Sequence, residues 1–377
     1  MKNKKFFEAI AVLIGTIVGA GIFGLPYAFN KSGFMVGLFY LIILGGVFLI
    51  TSFCYGEIVL RTKDQLEMSG YTERYLGKKG KVVMTISLIF GIYAALVAYI
   101  IGVGQFLQAI LGPILGGSQF FWSLIFWACV SLIVLKGIGI VSKMELFMTC
   151  GLIFIALFIF IFSFPYIHLD NLKTFHPTNL FFPYGIVLFA LGGATAIPTM
   201  RRLLNEKAKW LKPTIFLGHL IPIIVYIIFT FAVIGVCGKD TSETAILGLA
   251  AKTSNLILLV CGIFGVLAIS TSFLSLSHVL KEVFHRDHKI HVLFSWGLTV
   301  FIPLILFLFG LNSFVSVIGF SGGILAGVQS IILIMAFYKA KKMGDRTPEY
   351  NFNLAKPLAC LICLMFVGGI IYQIIYH

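Results

Sequence analysis

The sequence predicts an all-α integral membrane protein with eleven transmembrane helices, and two observations carry that prediction. The first is composition: of 377 residues, 59% are hydrophobic and 11% charged, with a mean hydropathy of +1.04. Soluble globular domains carry about 25% charged residues. The second is the texture of the apolar tracts. They stay apolar all round for about 20 residues or more, as a helix crossing hydrocarbon requires, whereas the strands of a membrane barrel alternate over short segments.

In order, the spans are residues 9–30, 32–56, 82–112, 118–135, 146–168, 180–200, 213–237, 254–280, 290–310, 311–338 and 357–376. Gly112-Pro113 and Gly116-Gly117-Ser118 divide the tract from Val82 to Leu135 into two. The charge-free run from Ile290 to Tyr338 is too long for one helix, and Gly310-Leu311-Asn312-Ser313 supplies its break. The connections are short, so residues 1–377 read as a single transmembrane domain. In the loop 63–81, Thr72 to Leu76 predicts one helical turn ahead of Gly77. In "GKDTSETAILGLAAKT" (238–253), the cap-like Asp240 and Thr241 precede an apolar stretch and predict a short helix lying over an external mouth.

The formal net charge of +14 raises nucleic acid as a partner, but its placement excludes that reading. With the N-terminus inside, all of the 28 Lys and Arg except Lys31, Lys173, Lys239 and Lys252 fall in inner loops. Positive residues concentrate on the cytoplasmic side of membrane proteins. The expected topology is a multi-pass protein of the cytoplasmic membrane with its N-terminus cytoplasmic and its C-terminus outside. "MKNKK" is followed by a span with no small-residue cleavage site, which speaks against a cleaved signal peptide. Cys360 and Cys363 have redox-motif spacing but sit in an apolar span, where they read as small hydrophobes.

The informative segment is "GTIVGAGIFGLP" (15–26), which places Gly15, Gly19, Gly21, Gly24 and Pro26 inside a span. Aligning Pro26 with Pro198 sets "GAGIFGLP" (19–26) on "LGGATAIP" (191–198), so that Gly21 meets Gly193. Spans 1 and 6 then correspond at an odd offset and cross the membrane in opposite directions. Two such interrupted spans, at matching places of inverted halves, point to a transporter binding site. If the helices unwind at "VGAG" and "LGGAT", main-chain groups lose their intrahelical partners, which hydrocarbon does not tolerate unless something else binds them. A zwitterionic amino acid meets that need. Its carboxylate suits the amides at a half-helix N-terminus, and its ammonium suits freed carbonyls.

"GTIVGAGIFGLPYA" (15–28), "FALGGATAIPTMRR" (189–202) and the eleven-span layout resemble the amino acid/polyamine/organocation superfamily. Within it they are most similar to the amino acid/auxin permeases and the bacterial aromatic (tryptophan/tyrosine) amino acid permeases. The resemblance implies the leucine-transporter fold. Spans 1–5 (6–168) and 6–10 (178–338) would form a 5+5 inverted repeat with helices 1 and 6 unwound, and span 11 (357–376) would be peripheral. It places the substrate carboxylate near the amides of Ala20 and Gly21, and the ammonium near the carbonyls of Ile17 and of Leu188, Phe189 and Ala190. Thr16 and Thr195 would add hydroxyls, with Gly19 and Gly192 allowing close approach. Span 3, "GIYAALVAYIIG", offers Tyr93 or Tyr99, the latter slightly favoured. Gly193 stands where many relatives carry a bulky aromatic residue, which implies an enlarged side-chain pocket. No acid or base is evident for pairing with a charged side chain, so the expected substrate is neutral and fairly large, aromatic or aliphatic.

The resemblance also suggests a coupling ion. Span 8, "LAISTSFLSLS", matches the Ala-x-x-Thr-Ser pattern of sodium symporters, so the Ala268 carbonyl, the Thr271 and Ser272 hydroxyls, and the Gly15 and Val18 carbonyls would form an Na⁺ shell. Proton-coupled relatives can place a span-5 lysine there, and the aligned residue is Leu152, which favours Na⁺ over H⁺. The rival proton carriers are Glu57 and Glu145. Glu57 is four residues before Arg61, the spacing of a structural helix pair. His219 and His278 are isolated, and His288 with His291 lies in a basic loop that reads as solvated. No HExxH or phosphate-binding loop is present, so the chain does not read as an enzyme. The overall expectation is an amino acid permease in the bilayer, without cofactor and driven by Na⁺ (or H⁺). A proton-coupled or exchange-type permease is the alternative.

Overall fold

The structure, a computed structural model, describes residues 4–136, 141–245, 248–249, 252, 255–310 and 313–376. It is all-helical, with no strand among those residues. The first span is broken: α1 (Lys4–Ile17) and α2 (Gly21–Ser32) meet at a 50° bend. α3 (Phe34–Leu60) follows, then the long α4 (Met68–Leu115), α5 (Gln119–Lys136) and α6 (Val141–Ser163). The segment 180–204 is broken as well, into α7 (Pro183–Ala190) and α8 (Ile197–Leu204), with a 3₁₀ turn at Ala194–Ala196 between them. α9 (Leu211–Cys237), α10 (Asn255–Glu282), α11 (Val292–Leu308), α12 (Phe314–Phe320), a π-helical segment Ser321–Ala326, α13 (Gly327–Met343) and α14 (Lys356–Tyr376) complete the order. By length and apolarity six helical stretches can cross a membrane, or seven with the bent pair, and α5, α11 and residues 153–166 are shorter apolar helices. This is a multi-pass membrane protein.

The helices sort into two packs. α1, α2, α3, α7, α8 and α9 lie against one another, and α4, α5, α10 and α11 form a second group. α6 touches both, through α9 and α10, and α13 does so through α3 and α4. α14 packs on α13, the π segment and α7, touches α3 through Phe366 and Phe48, and leaves Leu361 and Leu364 exposed at the edge of the bundle. Large apolar side chains are exposed around the bundle, among them Phe39, Phe90 and Phe154, as a surface solvated by lipid allows.

The basic loops gather at one end. Arg202 pairs with Glu67 at 2.7 Å, Arg74 with Asp345 at 2.8 Å, and Lys212 lies over the Phe53 and Tyr350 rings. Glu57 is fully buried here, taking Arg61 Nε at 2.7 Å and the Phe352 amide. It therefore clamps the 345–352 loop to α3, as its structural reading expects. At the opposite end the His168 amide donates to Gly235 O, and the His176 amide to Ser32 O.

Local geometry departs from the sequence reading in three places. Helix starts at Met68, well before Thr72, although Gly77 does break it, with φ +74°. The helix also runs through Gly112-Pro113 and ends at Gly116 and Gly117, both at positive φ. In the 238–253 loop Asp240 does not cap a helix. It pairs with Lys252 at 2.6 Å, while Ser242 Oγ accepts the Gly248 amide. Residues 248, 249 and 252 are helical, and the remainder of that stretch lies outside the described residues. The side chains of Leu152, Lys143 and Glu145 lie outside them too.

Candidate functional site

The two breaks lie against each other in mid-bundle. At the first, the Val18 amide reaches Ile14 O and the Gly19 amide turns back to Ile17 O. Ala20 then caps α2 with no side-chain bond, and the Phe23 amide takes Ala20 O. The first amides of a helix have no intrahelical partner, so those of α2 open at the break. At the second, the Leu191 amide bonds Val187 O and the Gly192 amide bonds Phe189 O. Among the described residues, Leu188 O takes no main-chain partner across the gap. Glycine is needed where the breaks touch. A Cβ on Gly21 would stand 2.5 Å from the Ala190 Cα, and one on Gly19 would stand 2.6 Å from Ser272 Oγ.

A cavity of about 110 Å³ opens beside the breaks. Thr16, Ile17, Gly19, Gly21, Tyr99, Leu188, Phe189, Gly192, Gly193 and Thr195 line it, ten of the residues picked out in the sequence. Ala20 and Ala190 sit behind the wall, buried in the contact between the breaks. Tyr93 is not in the wall, because its hydroxyl donates to Leu298 O at 3.0 Å and so ties α4 to α11. Tyr99 does line the cavity, and its hydroxyl bonds that of Ser272. The expected enlargement at Gly193 is absent. A Cβ there would meet Ile17 Cγ1 at 2.3 Å and Leu13 Cδ1 at 3.1 Å, so neighbouring side chains already fill that space.

A cluster of rings lies beyond the first break, on the side of the cavity away from its extension along α4. Phe23 packs edge-on against Phe106 at 5.0 Å, Phe264 at 5.8 Å and Phe229 at 6.0 Å, and all four rings are fully buried. Away from these rings the wall continues along α4 through Ala95, Gly91 and Leu88 toward the end with the basic loops. Every lining residue is uncharged.

Two features were not legible beforehand. Tyr226 on α9, fully buried, has its hydroxyl 2.7 Å from Ile17 O and 2.8 Å from Ala190 O, and so bridges the two breaks. The Ile17 carbonyl also takes the Gly19 amide, so it has no free lone pair for a substrate ammonium. Of the carbonyls picked out for the ammonium, Leu188 O is the one with no such partner among the described residues. The second feature is the wall from the π segment and α13, where Ser321, Gly322 and Gln329 face the cavity. Span 7 (213–237) has one tyrosine and span 10 (311–338) one glutamine. A buried phenol needs a partner and an intramembrane amide is costly, which is the signal that was available.

Four of the five expected ion ligands are hydrogen-bonded in pairs. Thr271 Oγ1 donates to Ala268 O at 2.8 Å, and Ser272 Oγ donates to Gly15 O at 3.3 Å. Ser272 therefore stands between the Gly15 carbonyl and the cavity-lining Tyr99.

The model of the tryptophan/tyrosine permease family matches residues 2–375. The chain belongs to the tryptophan/tyrosine permease family. It is 25% identical to tyrosine-specific transport system 1 of Haemophilus influenzae, over 96% of this chain and 94% of that one. It is 24% identical to glutamine transporter 2 of Aliivibrio fischeri, over 93% of each. Among solved structures, the crystal structure of MhsT in complex with L-phenylalanine superposes with a TM-score of 0.68 at 17% identity, covering 98% of this permease and 97% of that chain. The fold is that of these transporters, and this permease is an amino acid transporter, not an enzyme.

Proposed function

We propose that this permease imports a neutral amino acid with an aromatic or large aliphatic side chain, by alternating access driven by a cation gradient. The observation that carries the reading is the pair of broken helices meeting at a cavity with no charged wall residue. α2 amides would hold the carboxylate and Leu188 O the ammonium, while a charged side chain would find no partner. The chain then consists of eleven spans, with 6–168 and 178–338 as inverted repeats and 357–376 outside them. The basic loops face the cytoplasm, with the C-terminus outside. In that frame the Phe23 plug closes the outward path and the cavity extends inward. The relatives named for tyrosine favour an aromatic substrate. Purified protein in liposomes loaded with unlabelled tyrosine is expected to accumulate labelled tyrosine by counterflow, whereas a channel gives no trans-stimulation.

Na⁺ is the proposed coupling ion, held by Gly15 O, Val18 O, Ala268 O, Thr271 Oγ1 and Ser272 Oγ. The two hydroxyls that now donate to carbonyls would rotate to offer their oxygens. Because Ser272 also bonds Tyr99, ion binding would be felt at the substrate cavity. Thr271→Ala with Ser272→Ala is expected to abolish stimulation by an Na⁺ gradient. Uptake that still follows that gradient would reject this site, and uptake that follows only a pH gradient in the unaltered protein would favour H⁺.

A further inference from the structure

We propose that Gln329 reads the polar edge of the substrate's side chain, its amide oxygen accepting a hydrogen bond from a phenolic O–H or an indole N–H. This rests on the amino acid carrier reading above and names what it selects. Four hydroxyls of the wall are held by main-chain carbonyls of their own surroundings. Thr16 Oγ1 donates to Val12 O at 2.7 Å, Thr51 Oγ1 to Phe48 O at 3.0 Å, Ser330 Oγ to Ala326 O at 2.8 Å, and Ser321 Oγ to Gly91 O at 3.4 Å. Gln329 differs in kind. Its Nε2 donates to Ser87 O at 3.3 Å, and since a main-chain carbonyl only accepts, the atom on that side must be nitrogen. The oxygen of a planar amide then points away from α4, and among the described residues no donor bonds it.

The setting holds that orientation. Ser87 Oγ donates to Leu325 O at 2.9 Å and pins α4 to the π segment just before Gln329. Gly91 gives the amide room, because a Cβ there would come only to 3.5 Å from Nε2. π-helical segments such as Ser321–Ala326 recur at functional sites, and this one packs against α7. Gly91 lies two turns, about 12 Å of helix, from Tyr99. An aromatic amino acid held at the breaks, with its ring running toward Gly91, brings its far edge to the amide. Its ring would pass Ala95 and Leu276, which offer only apolar surface.

The test is the ratio of kcat/KM for tyrosine and tryptophan to that for phenylalanine, in liposomes, for the unaltered protein, Gln329→Met and Gln329→Glu. Phenylalanine lacks the donor and serves as the internal control for folding. The unaltered protein is expected to prefer the two donors. Gln329→Met should lower the ratio about tenfold, the 1.4 kcal/mol of one net hydrogen bond, with phenylalanine transport retained. Gln329→Glu keeps an acceptor oxygen and should keep the preference. An active protein whose ratio survives Gln329→Met, or a Gln329→Met variant that loses all three substrates alike, overturns this inference alone. An unaltered protein that exchanges none of the three overturns the carrier reading with it.

Discussion

Gly21→Ala is expected to abolish amino acid uptake while the variant still inserts into the membrane at the level of the unaltered protein. The added Cβ would stand 2.5 Å from the Ala190 Cα, 2.7 Å from its Cβ and 3.2 Å from its amide nitrogen. Carbon atoms in contact sit about 3.5–4.0 Å apart, so the two breaks must separate by about 1 Å. The obstacle is backbone and has no rotamer to escape into. A misplacement of about 1 Å in a positioning site can cost about a hundredfold, and kcat/KM should fall by at least that much. Gly46→Ala on α3 is the control, since a Cβ there meets nothing within 4 Å, and it should transport normally. Uptake of labelled tyrosine in cells, normalised to membrane content by immunoblot, decides the matter. Unimpaired uptake by Gly21→Ala would remove the breaks from the mechanism.

The architecture was legible because its causes are written locally. A run of 20 apolar residues has few alternatives to a helix, and glycine with proline in two such runs leaves little but interruption. The breaks fall where "VGAG" and "LGGAT" place them. What was not legible depends on which side chain reaches across the bundle. Gly193 looked like an opening, yet Ile17 and Leu13 come from another helix to fill it. Tyr93 and Tyr99 are nearly two turns apart on α4, and only their neighbours decide that one ties α11 while the other faces the cavity. The carbonyls expected to await an ammonium lie at the breaks, but a phenol 209 residues from Ile17 already occupies two of them, Ile17 O and Ala190 O. Such pairings follow from tertiary packing, which no local pattern encodes.

That phenol sets the second large effect. Tyr226→Phe is expected to raise the KM for substrate about tenfold and to lower the unfolding temperature, with the fold retained. The ring is fully buried and stays, so no cavity forms. What is lost is one hydrogen shared between two carbonyls. Ile17 O keeps the Gly19 amide, whereas Ala190 O loses the side-chain donor that holds it. Leaving a buried acceptor unsatisfied costs about 1–3 kcal/mol, and water admitted to repair it would push apart the same contact that Gly21 keeps tight. The hydroxyl therefore acts as a latch that sets the spacing of the half-helices, and with it the spacing between the α2 amides and Leu188 O that the proposed site would use. A role confined to stability would shift the unfolding temperature and leave KM alone. A role in spacing predicts that both move, and that saturating substrate restores much of the lost stability, because a ligand bound only to the native state stabilises it by mass action. Thermal unfolding of the detergent-solubilised variant with and without tyrosine, alongside KM for uptake, separates the two, and an unchanged KM would reduce Tyr226 to packing.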